Sequence, residues 1–255
     1  LARTLGRPVH RWWLREDGRR WRPDLDELGC LVNERTRLIA ICNPDNPTGA
    51  RLQGAELDAI CEIAARRGTW VLSDEIYRGA ELDGQETPSI WGRYERAVVT
   101  SGLSKACSLP GLRIGWIVGP ETFVASTWAT HDYTTIAPGA VNDFLATIAL
   151  RPDRRAAILA RTRRILRANW ATVESWFSAH QKLFSFAPPE AGAIVMARYH
   201  RPVNSTELTT RLREEKGVLI VPGDQFGMDG YLRIGFGGDP AQLAEGLARL
   251  RELLA

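Results

Sequence analysis

Residues 37–77 leave few folds open. Arg37-Leu-Ile-Ala-Ile-Cys42 is a continuous apolar run of strand length, the pattern of a central parallel strand covered on both faces. It runs into Asn43-Pro-Asp-Asn-Pro-Thr-Gly49, where two Asn-Pro pairs block helix and predict a rigid loop at the strand's carboxyl end. From Gly54 to Arg67, the residues Leu57, Ile60, Cys61, Ile63 and Ala64 form one apolar stripe at helical spacing, and Gly68 is placed to stop the helix. Trp70-Val-Leu-Ser-Asp74 is the next strand, so the segment predicts a right-handed βαβ crossover. Open α/β sheets place ligands at the carboxyl ends of their strands. Asp74 sits at such an end, where a carboxylate is costly to bury unless it is paired.

A second stretch adds chemistry. The apolar run Ala97-Val98-Val99-Thr100 leads into Ser101-Gly-Leu-Ser-Lys-Ala-Cys-Ser-Leu-Pro-Gly-Leu-Arg-Ile-Gly-Trp116, which sets Lys105 and Arg113 eight residues apart in a loop rich in Gly, Ser and Pro. The chain has only three lysines against thirty arginines. A lysine at a strand end in so Arg-rich a chain points to lysine chemistry, since lysine can lose its proton and attack a carbonyl while arginine cannot. Two rival motifs fail. The G-x-S-x-G elbow is broken by Ala106, and the S-x-x-K pattern of acyl-serine enzymes is broken by Gly102.

Ser-Lys-Ala followed by Leu-Pro-Gly-Leu-Arg-Ile-Gly-Trp resembles the cofactor-lysine segment of the class I/II aminotransferases, the fold-type I pyridoxal-phosphate (PLP) enzymes. Asn-Pro-Thr-Gly at 46–49, Asp-Glu-Ile-Tyr at 74–77 and Leu-Arg-Ile at 232–234 are similar to three further motifs of that family. The resemblance implies a Schiff base between Lys105 and PLP, with Lys105 then shuttling the proton. It implies cofactor contacts from Asn46 and Tyr77 to the phenolic oxygen, from Asp74 to the pyridinium nitrogen, and from Arg113 to the phosphate. Arg233 is implied as the clamp for the substrate α-carboxylate, with Asn46 beside it, and a planar guanidinium suits a bidentate carboxylate. Many aminotransferases carry Ser where this chain has Gly102, so Ser101 or Ser104 is left to supply the phosphate hydroxyl, and Ser104 is taken as the cofactor residue. Glu75 reads as a solvated or supporting residue.

What the resemblance implies for the whole is an α/β, aspartate aminotransferase-like fold: a mostly parallel large-domain sheet with helices on both faces, then a smaller α+β domain. Residues 1–168 are expected to be a large domain lacking its N-terminal part, and 169–255 the small domain. Family enzymes are longer at the front, where the glycine-rich phosphate turn and the ring-stacking aromatic would lie, so the chain is expected to be a fragment. A homodimer is implied, acting on an amino acid and a 2-keto acid. Thr130 stands where enzymes for dicarboxylic acids carry Arg, which argues against aspartate, and His131 and Asp132 are candidates for substrate polarity. Two alternatives stay open: a PLP-dependent lyase, synthase or cyclising enzyme resembling capreomycidine synthase, and a non-catalytic aminotransferase-like effector domain of a transcription regulator.

The remaining chain is read as follows. Val9 to Leu14 is an edge or short strand, Asp24 caps a helix with Leu25, Leu28, Leu31 and Val32, Pro120 to Ala129 and Gly139 to Leu150 are helical, and a long helix runs from Pro152 to about Ala179 with its arginines on a solvated face. Strands are expected at 184–186, 193–197, 218–221 and 231–236, and helices at 206–215 and after Asp239-Pro240. Net charge is +3 with no basic stripe, which argues against a nucleic-acid surface. No apolar run approaches the roughly 20 residues of a membrane span. Cys30, Cys42, Cys61 and Cys107 lack metal-ligand spacing and suit a reducing cytoplasm, with no metal site expected.

Overall fold

The computed structural model describes residues 2–254. An antiparallel hairpin opens it, β1 (Leu14–Glu16) against β2 (Trp21–Pro23). The second strand of this hairpin was not expected. Asp24 then caps α1 (Leu25–Leu31), its carboxylate accepting from Glu27 N at 2.9 Å. β3 (Leu38–Cys42), α2 (Gly54–Ala65) and β4 (Trp70–Asp74) form the expected βαβ unit, with β3 and β4 parallel. Gly68, at φ +62°, ends the turn after α2. β5 (Ala97–Gly102) adds a third parallel strand, and β6 (Gly115–Val118) returns antiparallel beside it. The sheet order is β3-β4-β5-β6. It is mostly parallel, as expected, but the β3 run is not covered on both faces. β3 is the edge strand among the described residues, and Leu38 is 50% exposed.

One face of this sheet packs on α1 and α2 through Ile39, Val71, Ala97 and Val99 against Leu28, Leu57, Ile60 and Ala64. On the other face Trp70 meets Phe123 of α3 (Glu121–His131) at 5.3 Å between ring centroids. α4 (Ala140–Ala149) and the 28-residue α5 (Pro152–Ala179) follow. β7 (Phe184–Phe186), β8 (Ile194–Tyr199), α6 (Ser205–Lys216), β9 (Val221–Pro222), β10 (Tyr231–Gly235) and α7 (Pro240–Leu254) complete the chain. These strands make an antiparallel sheet ordered β7-β8-β10-β9. Its inner face, with Val195, Ala197, Leu232 and Ile234, packs on α5, α6 and α7.

The core does not stop between the sheets. Leu103, Ala106 and Leu159 at one end of α5 belong to the same buried cluster as Phe177, Phe184 and Leu250 at the other. Two expectations fail here. The apolar run 218–221 is not a four-residue strand. α6 closes on Gly217 at φ +64°, Val218 N bonds back to Leu212 O, and Leu219 is left 82% exposed. The arginines of α5 are not all solvated, because Arg163 turns inward to Glu81, a fully buried carboxylate 3.0 Å away.

Candidate active site

Three loops meet where β3, β4 and β5 end. The first follows β3. Asn43 is buried and ties it down, its backbone N–H donating to Asp74 O at 2.9 Å and its side-chain oxygen accepting from Leu52 N at 2.8 Å. Asp45 shapes the turn by accepting from Thr48 Oγ1 at 2.6 Å, while burial pushes its carboxyl upward against that bond. Gly49 at φ +75° is required: a Cβ there would fall 2.6 Å from Pro189 Cβ and 3.0 Å from Ala191 O. The Asn-Pro-Thr-Gly loop is therefore pressed against the segment that precedes β8.

The second loop follows β4. Asp74 lies in register with Cys42 on one side and Thr100 on the other, and its Oδ1 accepts from Ile76 N at 3.1 Å. Tyr77 stacks against Gly192, where a Cβ would sit 3.5 Å from Tyr77 Cδ1. Burial, then neighbouring Cys42, hold the Tyr77 hydroxyl above its ordinary value, with Arg233 opposing, so it is a donor at neutral pH. Burial likewise pushes the Cys42 thiol up to about 12, with Asp45 and Asp74 adding to it, which keeps it an un-ionised core group.

The third loop carries Lys105. Leu103, Ala106 and Cys107 anchor it in the core while the lysine itself is exposed. Leu109 N closes the loop on Leu103 O at 3.0 Å, and Ala106 N reaches Ile76 O at 3.4 Å, joining it to the Asp74–Tyr77 turn. Gly102 is in close quarters. A Cβ would meet Ile114 O at 2.8 Å and Ile76 Cδ1 at 3.3 Å, so a larger residue does not fit without a shift. Ser101 Oγ donates to Glu75 O at 3.2 Å and is thereby engaged, whereas Ser104 beside the lysine is half-buried. Arg113 takes a left-handed backbone, φ +52°, and its Nη1 donates to Pro110 O at 3.0 Å within its own loop.

Arg233 comes from β10 of the other sheet. Its neighbours Leu232 and Ile234 point into the core, and its own side chain emerges on the opposite face. Nη1 donates to Asn46 Oδ1 at 2.9 Å, joining two sheets through two of the residues singled out from the sequence. Lys105, Asp74, Arg113 and Arg233 form no ion pair among the described residues, and no internal carboxylate neutralises Arg233. Glu75, read as solvated or supporting, is 3% exposed, and its Oε1 accepts from Ser89 Oγ and Ile90 N, so it is a buried brace behind Asp74. Phe226 was given no role of its own from the sequence, where Pro-Gly-Asp-Gln-Phe-Gly-Met at 222–228 bore only on the cyclising alternative; its ring centre lies 5.4 Å from the Arg233 guanidinium carbon.

This donor set fits PLP. An amine at the crest of one loop, a carboxylate without a cation, two phenolic-oxygen donors and an arginine without an anion are the groups that such a cofactor needs on its aldehyde, ring nitrogen, phenolic oxygen and phosphate. The two sheets and their connections define the aspartate aminotransferase-like, fold-type I class of PLP-dependent proteins. The chain belongs to the aminotransferase class I and II family, whose model matches residues 1–250. It is 30% identical over 255 residues to capreomycidine synthase of Streptomyces vinaceus, covering all of this chain and 64% of that protein. It is 29% identical to aromatic-amino-acid aminotransferase 2 of Thermococcus litoralis, covering 92% of this chain and 61% of that one. The structure superposes on a PLP-dependent aminotransferase from Streptococcus suis with a TM-score of 0.90 at 35% identity, covering 99% of this chain and 66% of that chain. The chain thus spans about three fifths of the length of the curated relatives it matches. No helix among the described residues is long and apolar enough to cross a membrane.

Proposed function

We propose that this chain carries the lysine and the carboxylate-binding arginine of a PLP-dependent aminotransferase that moves an amino group between an amino acid and a 2-keto acid. The observation behind this reading is that the loops after β3, β4 and β5, which carry Asn46, Asp74 with Tyr77, and Lys105, are bonded to one another and to Arg233 in the middle of β10, with no ion pair on a charged member among the described residues. Asp74 would hold the ring nitrogen, Tyr77 and the Asn46 amide the phenolic oxygen, and Ser104 and Arg113 the phosphate. When bound, PLP supplies an electron sink that makes the Cα–H of an amino acid acidic. Arg233 holds the substrate carboxylate in the plane of its guanidinium. Lys105 Nζ is then the base that takes and returns the Cα proton.

A homodimer is part of the same proposal, whereas the expected division at 168/169 falls inside the continuous helix α5, between Leu166 and Val173 of one buried cluster. Trp128, Tyr133, Ile136, Val141 and Phe144 are large apolar side chains left exposed on and between α3 and α4, of the kind that a second copy covers. Sedimentation of the chain tests the dimer. Absorbance with added PLP, before and after borohydride, tests the lysine. A near-visible band and a fixed mass increment on Lys105, absent in Lys105→Ala, support the reading, while a folded chain with no increment overturns the assignment of Lys105 here. The similarity to capreomycidine synthase across the whole chain favours a second reading, a lyase or cyclising enzyme on the same residues. Product analysis separates them: keto-acid formation supports transamination, and loss of water or ammonia supports elimination.

A further inference from the structure

We infer that Phe226 is a positioning residue for the Arg233 guanidinium, and that the segment leading into the first hairpin holds Phe226 in place through Arg11. This rests on Arg233 as the carboxylate clamp proposed above. Arg233 has two partners that differ in kind. Asn46 Oδ1 accepts from Nη1 at 2.9 Å, which fixes one corner in the guanidinium plane. The Phe226 ring, 5.4 Å from Cζ, lies within cation–π range. Such a contact needs no hydrogen-bond acceptor, and among the described residues only Nη1 has one, so Nη2 and Nε are left for an incoming carboxylate.

The turn that presents Phe226 is built to be rigid. Residues Gly223–Phe226 form one 3₁₀ turn, closed by Gly227 at φ +75°. A Cβ on Gly223 would fall 1.9 Å from Met228 O, so only glycine fits the start of the turn. Ser205 Oγ accepts from Asp224 N at 3.1 Å, and Asn204 Nδ2 donates to Asp224 Oδ2 at 2.7 Å, fastening the turn to the first residues of α6. From the other side, Arg11 Nη1 donates to Phe226 O at 3.2 Å, and the Arg11 guanidinium itself lies 5.4 Å from the Trp13 ring centre. Leu14, Trp21, Phe226, Met228 and Tyr231 complete one apolar patch between hairpin and sheet. The segment leading into the hairpin thus reaches the carboxylate clamp through one side chain and one carbonyl, a distance of more than two hundred residues in sequence.

The test uses the full 255-residue chain and two readouts. In ¹⁵N-edited spectra the Arg233 Nε–H carries an upfield ring-current shift that Phe226→Leu removes and Phe226→Tyr keeps. Binding of 3-phenylpropionate, with 3-phenylpropanamide as the uncharged control, is then titrated calorimetrically. Phe226→Leu is expected to weaken the acid about fivefold, the loss of one exposed cation–π contact, with Phe226→Tyr restoring it and Arg11→Ala giving a smaller loss. The amide is expected to show no difference between variants. Unchanged affinity and an unchanged Nε–H shift in Phe226→Leu overturn the inference if Arg233→Leu still abolishes acid binding. If Arg233→Leu binds the acid as the parent does, the carboxylate clamp itself is overturned, and the inference with it.

Discussion

Arg163 and Arg233 are both arginines placed among apolar side chains, and they end in opposite ways. Arg163, on α5, meets Glu81 at 3.0 Å. Glu81 is fully buried and also accepts from Gly79 N, Thr87 N and Thr87 Oγ1, each at 2.9 Å. Arg233 meets a neutral amide and an aromatic ring, and no anion among the described residues. A cation whose counter-charge is built in is part of the scaffold. A cation given only uncharged partners keeps its charge available to a ligand. The same division separates Glu81 from Asp74, whose carboxylate has one short-range backbone donor.

Stability measurements can break this contrast. Glu81→Ala strands Arg163 and three donors, and is expected to cost about 3–5 kcal/mol in urea unfolding. Arg163→Met removes one charge-assisted bond but leaves Glu81 its three other donors, so a loss of about 2 kcal/mol is expected in the same assay. Acid should act in the same direction. Burial pushes the Glu81 carboxyl up, but hydrogen bonds from Gly79 and Thr87 outweigh it and hold the group below its ordinary value of 4.5. The stabilisation is therefore complete above that value and is lost as pH falls through the lower folded value. Unfolding curves from pH 6 downward should steepen in the parent and stay flatter in Glu81→Gln. Gly102→Ala forces a Cβ toward Ile114 O and is expected to cost about 1.5 kcal/mol. Arg233→Met gives up the partly exposed bond to Asn46 and is expected to cost about 1 kcal/mol, and Lys105→Ala should change stability by less than about 0.5 kcal/mol. A large loss in either would show that it is scaffold after all.

The elements around the lysine were legible because their signals are local. The βαβ unit, the cap Asp24 and the long α5 each follow from apolar spacing and capping chemistry within a few residues. Pairing at a distance was not legible. Nothing near Arg163 marks Glu81 as its partner 82 residues away, and nothing near Arg233 marks Phe226 as a stacking residue, because both contacts exist only once α5 and β10 are packed. Val218–Val221 misled because its apolar residues serve the end of α6 and a two-residue strand rather than a longer ladder. Glu75 reads from the sequence as either solvated or supporting, and only the packed structure decides for the second, because its carboxylate is used by Ser89 and Ile90, fourteen and fifteen residues on, which no spacing rule reports.

The length of α5 bears on how this molecule could be taken apart. Its 28 residues at about 1.5 Å each make a rod of roughly 42 Å that contributes Leu159, Leu166, Val173 and Phe177 to one uninterrupted interior. Asn169, at the middle of the rod, donates to Phe236 O at 2.7 Å and Gly238 O at 2.9 Å. A gene fragment starting at residue 169 would therefore begin on a cut helix, with half of its apolar stripe left on the other piece. Nicking by a protease should find no exposed hinge there, and the C-terminal sheet cannot be expressed as a free module without carrying the whole rod along.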